Sequence, residues 1–344
     1  MKTTLTLPDS PSRPKPELLS VRKLAFGLGL RPERLHVLAR TAGSFYDPFD
    51  RPQIKPDRIK WRHIDNPFGD MKLLQRAVNK KLLRQAMLAL PVGMVGGVAG
   101  RSVRDNAIPH LGQEMVVNLD IRDCYPTTGY ERVFGVWRGL GYGRDASRVL
   151  TQVTTLHKRL PQGAPTSPTL CNLVLLPMFE EITAYTAGKD IGFTLYVDDI
   201  TISGPFSETL GAIDPIIRIV QRHGYRVHPD KIAEMPRGKR QETTGLVLNS
   251  KLSLQRQKLE RLRHDIVSHL KERKPISSRT RDSIVGRLDY AKQFEPRKAE
   301  KLADLVEALF DGVEVFPERR QRSIRRKCRY PDRHKRAVAW HLNY

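Results

Sequence analysis

A chain of 344 residues, 39% of them apolar, is long enough for two or three subdomains with cores of their own. Its 60 Lys and Arg against 37 Asp and Glu leave a net charge of +23 at pH 7, spread along the whole sequence. That points to a polyanionic partner, nucleic acid ahead of an anionic membrane surface. No apolar run approaches the roughly 18 residues that cross a bilayer, and the N-terminal MKTTLTLPDSPSRPKPELLS has no signal-peptide core. Cys124, Cys171 and Cys328 lack C-x-x-C spacing, which argues against a zinc site or a disulfide framework and fits a reducing cytoplasm.

Residues 1 to 16 are polar and proline-bearing and read as loosely ordered. Glu17 to about Ala42 has a helical pattern, with Leu18, Leu19, Val21, Leu24, Leu35, Val37 and Leu38 as its apolar face. Phe45 to Pro67 mixes basic and aromatic residues with strand-like pieces. A helix is expected from Met71 to about Leu90, ending at Pro91. VGMVGGVAGRS is a glycine-rich loop, and EMVVNLDI reads as a buried strand ending at Asp120. Beyond Pro161, Ser167 suits an N-cap and Pro168 the first position of a helix. In FTLYVDDITISG the alternation of Phe193, Leu195, Val197, Ile200 and Ile202 predicts a half-buried hairpin with Asp198 and Asp199 at its tip. Asp214 to His223 reads as a helix, TTGLVLNS as a short strand, and Ser253 to Phe310 as mostly helical. The last segment, ERRQRSIRRKCRYPDRHKR, is a basic run, and no internal repeat is present.

One Asp in a turn needs no special explanation. Two adjacent Asp side chains repel unless a cation neutralises them. Asp120, ending an apolar strand expected beside the hairpin, supplies a third carboxylate. Three carboxylates at strand ends can hold two hard cations such as Mg²⁺, with Mn²⁺ as a substitute. Such a pair activates an attacking hydroxyl and stabilises the leaving oxygen of an in-line phosphoryl displacement.

YVDD (Tyr196 to Asp199), preceded by LDIRDCY (Leu119 to Tyr125) and LPQGAPTSP (Leu160 to Pro168), resembles the palm of a reverse transcriptase. KPDRIKWRHIDNPFGDMKLLQ resembles the fingers pattern of that family, matched at Arg62, Ile64, Pro67, Lys72 and Gln75 with Met71 in place of Leu. The resemblance runs from about residue 45 to 310. It implies an α+β chain of right-hand polymerase architecture, with fingers, a ferredoxin-like palm of antiparallel sheet and helices, and a helical thumb. The implied divisions are a helical extension (1–44), fingers (45–118), palm (119–250, with a fingers insertion at about 130–160), thumb (251–312) and a basic tail (313–344). Asp120, Asp198 and Asp199 are the implied metal ligands. Arg62 is the implied triphosphate contact through bidentate guanidinium bonds; Lys55 is either a second phosphate contact or a solvated lysine. Tyr125, five residues after Asp120, is either the ring that excludes a ribose 2′-hydroxyl and favours dNTPs or a core aromatic. Gln162 and Gly163 are placed at the template or nucleotide. Lys231 resembles the lysine that protonates pyrophosphate, with a purely electrostatic role as the alternative.

NAIPH (Asn106 to His110) matches the Asn-Ala-x-x-His motif of retron reverse transcriptases, and TTGLVLN resembles their Val-Thr-Gly motif, with Thr243 where Val is usual. Asn106, His110, Thr244 and Gly245 are therefore implied RNA-recognition residues; an ordinary core or loop histidine is the alternative for His110. The retron resemblance implies a cognate structured non-coding RNA, an RNA–DNA hybrid, priming from a guanosine 2′-hydroxyl to give branched msDNA, and a separate effector protein in phage defence. The basic thumb suits an RNA-containing duplex. The tail from Arg319 to Arg336, with Tyr330, His334 and Trp340, is read as an RNA-clamping arm or as a solvated tail. The rival readings are a diversity-generating or group II intron-like reverse transcriptase and a non-catalytic RNA-binding scaffold.

Overall fold

A computed structural model describes residues 20–54 and 59–317. Lys55, the stretch before Ser20 and the basic tail from Arg319 lie outside the described residues. The chain divides into two compact units, the first ending at Gln255 and the second starting at Arg256.

In the first unit the expected N-terminal helix is two helices, α1 (Val21–Gly27) and α2 (Pro32–Arg40). Gly29 turns the chain with φ 78°. Pro32 at the start of α2 then holds Arg31 extended, at ψ 143°, where no helix can pass through. Next comes a long ribbon, β1 (Tyr46–Ile54) antiparallel to β2 (Ile59–Pro67), registered from Tyr46 opposite Pro67 to Ile54 opposite Ile59. The helix expected from Met71 is α3 (Gly69–Val78), a π-helical turn (Asn79–Leu83) and α4 (Arg84–Leu88). A short α5 (Val103–Ala107) is closed by a capping box between Ser102 and Asp105.

β3 (Met115–Asp120) ends where the sequence places it. Then follow α6 (Cys124–Thr127), the packed pair α7 (Tyr130–Gly139) and α8 (Arg144–Thr154), and the long α9 (Ser167–Thr186). Ser167 is not the cap of α9. Thr166 occupies that position, and the Ser167 hydroxyl donates instead to the Pro161 carbonyl at 2.7 Å, closing the preceding loop. The expected hairpin is β4 (Gly192–Tyr196) and β5 (Asp199–Gly204). After α10 (Phe206–Gly211) and α11 (Ile213–Arg222) come β6 (Ala233–Pro236) and three two-residue strands, β7 (Glu242–Thr243), β8 (Leu246–Val247) and β9 (Ser253–Leu254). TTGLVLNS is therefore not one strand. Thr244 and Gly245, with φ of 47° and 80°, form the two-residue turn of the β7–β8 hairpin.

The central sheet has the order β4-β5-β3-β6 with every pair antiparallel. Side chains alternate across such a sheet. One face carries Val117, Leu119, Leu195, Ile200 and Ile202 into a single core with Leu170 and Leu173 of α9 and Ile216 and Ile219 of α11. Phe179 and Phe193 join α9 to β4 with ring centroids 4.8 Å apart. The register puts Asn118, Asp120, Thr194, Tyr196, Asp199, Thr201 and Ser203 on the opposite face, so that face is mostly polar, with Val116 and Met235 as its apolar members.

The second unit is helical: α12 (Arg256–Glu272), α13 (Ser278–Lys292) and α14 (Pro296–Gly312). Leu262, Ile266, Ile284, Leu288, Leu302, Val306 and Leu309 are among its buried residues. Arg287 on α13 meets Asp265 on α12 at 2.6 Å. β10 (Ile276–Ser277) and β11 (Val315–Phe316) pair in parallel beside the helices. No helix among the described residues is long and apolar enough to cross a membrane.

Candidate active site

Tyr196 and Asp199 close the β4–β5 hairpin, leaving Val197 and Asp198 as its two-residue turn. Val197 has φ 60°, an outlying conformation for a β-branched residue. Two neighbours hold it there. The Ile121 amide donates to the Asp198 carbonyl at 2.7 Å, tying the turn to the end of β3. On the other side the glycine-rich loop runs along β4: Val95 N–H donates to Leu195 O and Leu195 N–H to Gly93 O, each at 2.8 Å. Gly96 lies so close to the turn that a Cβ would come within 2.4 Å of Val197 N. Asn172 on α9 donates to the Gly96 carbonyl at 2.8 Å. Arg101 clamps the same loop through Leu90 O and Met94 O, both at 2.6 Å. Gly96, Asn172 and Arg101 escape sequence reasoning as site residues, because only the glycine run itself signals a close backbone approach.

Asp120 and Asp199 are directly opposed in the β3–β5 ladder, on the polar face. Burial, reinforced by Asp198 and Asp120, pushes the Asp199 carboxyl up to about 7. Burial raises Asp198 as well, with Asp120 adding to it. The charges of Arg62 and Lys231 act in the opposite direction on both. Lys231 forms an ion pair with Asp120, and the His228 amide donates to the Asp120 carbonyl at 2.8 Å.

Tyr125 on α6 is half-buried against the core, and burial holds its phenol far above the ordinary range, with Asp198 and Arg62 also acting on it. Cys124 beside it touches Cys171 of α9, Sγ to Sγ 3.4 Å, both as free thiols. Arg62 is exposed on β2 and is met by Gln162, whose amide oxygen accepts from Arg62 Nε at 3.0 Å while its nitrogen donates to His63 O at 3.2 Å. The Asp65 amide donates to the Gln162 carbonyl at 2.7 Å. Gly163, at φ 124°, leaves no room for a Cβ, which would lie 2.9 Å from Ile64 Cγ2 and 3.0 Å from Asp65 O. The structure thus brings Asp120, Asp198, Asp199, Lys231, Arg62 and Tyr125 into one electrostatic neighbourhood, with Gln162 and Gly163 beneath the ribbon.

The donor chemistry suits a hard divalent cation: oxygen ligands only, in carboxyls whose pKa burial and then mutual repulsion raise. Among the described residues no three or more His, Cys, Asp and Glu side chains form a closed ligand set. The Asp120 carboxylate is instead turned onto Lys231.

The family described as reverse transcriptase (RNA-dependent DNA polymerase) matches residues 54–261, more than half of the chain. The chain belongs to the reverse transcriptase family. It is 33% identical over 262 residues to the retron Mx65 reverse transcriptase of Myxococcus xanthus, a match covering 68% of this chain and 61% of that one. It is 32% identical over 237 residues to the retron Ec86 reverse transcriptase of Escherichia coli, covering 68% and 73%. The match thus spans less than two thirds of the Mx65 protein. Among solved structures, a foamy viral protease-reverse transcriptase with double-stranded DNA aligns with a TM-score of 0.46 and 20% identity, over 78% of this chain and 41% of that one.

In this reverse transcriptase the four residues expected at RNA do not share one setting. Asn106 and His110 are fully buried. Asn106 donates to Thr243 Oγ1 at 3.2 Å, and His110 bonds Ser203 Oγ at 2.7 Å and Thr194 Oγ1 at 2.8 Å. Packing turns both side chains inward onto the polar face of the sheet, so the bonds they make are to the protein itself. Thr244 and Gly245 form the β7–β8 turn, and the Thr244 hydroxyl is itself enclosed. Lys55 lies outside the described residues.

Proposed function

We propose that the chain is a retron-type RNA-directed DNA polymerase. The observation that carries this reading is the opposition of Asp120 and Asp199 across the ladder, with Asp198 in a braced turn beside them. Two Mg²⁺ ions, or Mn²⁺ in their place, held by these carboxylates, would activate the attacking hydroxyl and stabilise the leaving oxygen. The chain's own residues do the rest. Arg62 orients the triphosphate of the incoming dNTP, and Gln162 steadies the guanidinium. Tyr125 fills the space a ribose 2′-hydroxyl would need. Lys231, already within the field of the acidic pair, supplies positive charge and a proton to the departing pyrophosphate.

The similarity to two retron reverse transcriptases, together with the NAIPH and TTG segments, supports a finer reading. The template is a cognate structured non-coding RNA, synthesis starts at a guanosine 2′-hydroxyl, and the product is branched msDNA within an RNA–DNA hybrid. A separate effector protein completes a phage-defence system.

Purification from cells carrying the native locus, followed by sequencing of bound nucleic acid, tests this. A branched RNA–DNA species is expected; linear cDNA alone would favour a diversity-generating or intron-like enzyme. The double variant Asp198→Asn, Asp199→Asn should make no DNA while retaining RNA affinity. Full synthesis by it would reject the assignment of the acidic pair.

A further inference from the structure

The NAIPH segment covers the same sheet face that carries Asp120 and Asp199. Cross-strand register fixes this relation. Asp120 opposes Asp199, Asn118 opposes Thr201, and Thr194 opposes Thr201 from the other side. Residues two apart share a face, so Thr201 lies one step down from Asp199, about 7 Å along the strand. Thr194 likewise lies one step from Tyr196.

His110 reaches this face from the 3₁₀ turn after α5. One ring nitrogen bonds Thr194 on β4 and the other Ser203 on β5. A neutral imidazole has one N–H donor and one acceptor nitrogen, and both are used. The single side chain therefore bridges the two strands of the hairpin whose tip is Val197–Asp198. Its partners lie 84 and 93 residues further along the chain.

The rest of the segment is fastened nearby. Asn106 donates to Thr243 Oγ1, which bonds Thr201 Oγ1 at 2.8 Å, and Thr201 Oγ1 donates to Asn118 Oδ1 at 3.1 Å. All five of Asn106, His110, Thr194, Thr201 and Ser203 are buried, as is Thr243. A buried network of this kind, with both histidine nitrogens partnered, fixes one geometry of the strands it joins.

We propose that His110 is a positioning residue for the acidic turn: it staples β4 to β5 from the catalytic face and sets the height of Asp198 and Asp199 against Asp120. The NAIPH segment thus acts on catalysis from beside the site, along the two hairpin strands on the same face, and not by touching RNA through His110. The inference rests on the polymerase reading for its catalytic consequence, and on the hydrogen bonds alone for its structural one.

The two are separated by a paired experiment on the full chain. His110→Phe keeps a ring of similar shape and leaves both hydroxyls unpaired; His110→Gln keeps a donor and an acceptor and covers the case in which the first variant does not fold. Trp137→Phe, in the core of α7, serves as a variant destabilised elsewhere. Amide hydrogen exchange over residues 193–203 is read first and needs no activity. It should quicken in His110→Phe beyond what its loss of global stability accounts for, be partly restored in His110→Gln, and in Trp137→Phe quicken only as far as its loss of global stability requires. Primer extension is read second, as kcat, KM for dNTP and RNA affinity. Displacement of the acidic turn should lower kcat of His110→Phe on the order of tenfold to hundredfold, with RNA affinity within about twofold of wild type.

Hairpin exchange in His110→Phe no faster than its loss of global stability requires overturns the staple. A fall in RNA affinity that accounts for the whole loss, or an equal kcat loss in Trp137→Phe, overturns the positioning role. Inactivity of the wild-type protein would overturn the polymerase reading, while the exchange result would still decide the staple.

Discussion

Gly96 and Val197 are in backbone contact: a Cβ on Gly96 would sit 2.4 Å from the Val197 nitrogen and 2.6 Å from the Tyr196 carbonyl carbon. The glycine-rich loop is thus the outer wall of the acidic turn. It runs beside β4 as an extra edge, fixed by Asn172 and Arg101.

Gly96→Ala should therefore act on the turn. Overpacking costs about 1–3 kcal/mol, and moving the carboxylates should cut kcat by at least about tenfold. Gly135→Ala makes the matched comparison, since a Cβ there meets nothing within 4 Å on α7. It should leave kcat unchanged and stabilise the helix by up to about 1 kcal/mol. Thermal melts and primer extension on both variants check this.

A carboxyl held protonated up to about 7 by burial and by like charges gains from a bound cation. At pH 8, adding millimolar Mg²⁺ to chelator-treated protein should raise Tm. Asp198→Asn, Asp199→Asn should abolish that rise while matching or exceeding the wild-type Tm in chelator. Calorimetry reads both without any substrate.

His110 contributes a pH dependence opposite in sign to that of Asp199, whose raised carboxyl favours the folded state as pH falls. Burial lowers the His110 pKa from 6.5 to about 4. The unfolded chain therefore binds a proton at His110 between those values that the folded chain refuses, so the His110 contribution to stability falls as pH drops from about 6.5 to about 4. The shift is worth on the order of 3 kcal/mol at the acid end. His110→Gln should lose this contribution, so that its stability relative to wild type rises from pH 7 to pH 4.5, measured by urea denaturation at pH 4.5, 5.5 and 7.

Tyr125→Ala should open space beside Asp198 and raise ribonucleotide incorporation relative to dNTP use. The measurement is the ratio of kcat/KM for matched ribo- and deoxynucleotides. Tyr125→Phe keeps the ring and should retain the wild-type ratio. Unchanged discrimination in the alanine variant would make Tyr125 an ordinary packing residue.

The strand ending at Asp120 and the hairpin around Asp198 were legible in the sequence because alternation and a buried run are local signals. Their adjacency was expected because a third carboxylate at a strand end suits the acidic pair, but no local pattern sets the register of β3 on β5. The burial of His110 and Asn106 was hidden for the same reason: their partners are hydroxyls many tens of residues away, and nothing near NAIPH marks its polar side chains as inward-facing. Ser167 looked like a cap by residue type, but Thr166 already occupies the cap position and the folded loop offered its hydroxyl the Pro161 carbonyl. TTGLVLNS read as a strand because Thr243, Thr244 and Val247 are β-branched and Leu246 and Leu248 apolar, whereas Thr244 and Gly245 both adopt positive φ and turn it back on itself.

The Gln162 bonds to Arg62, His63 and Asp65 make one mechanical part of the β1–β2 ribbon and the loop under the nucleotide. A tilt of the ribbon's free end is levered directly into that floor, with Gly163 as the contact where the two backbones bear on each other. A load on the outer ribbon would thereby be passed to the loop that carries Gln162 and Gly163.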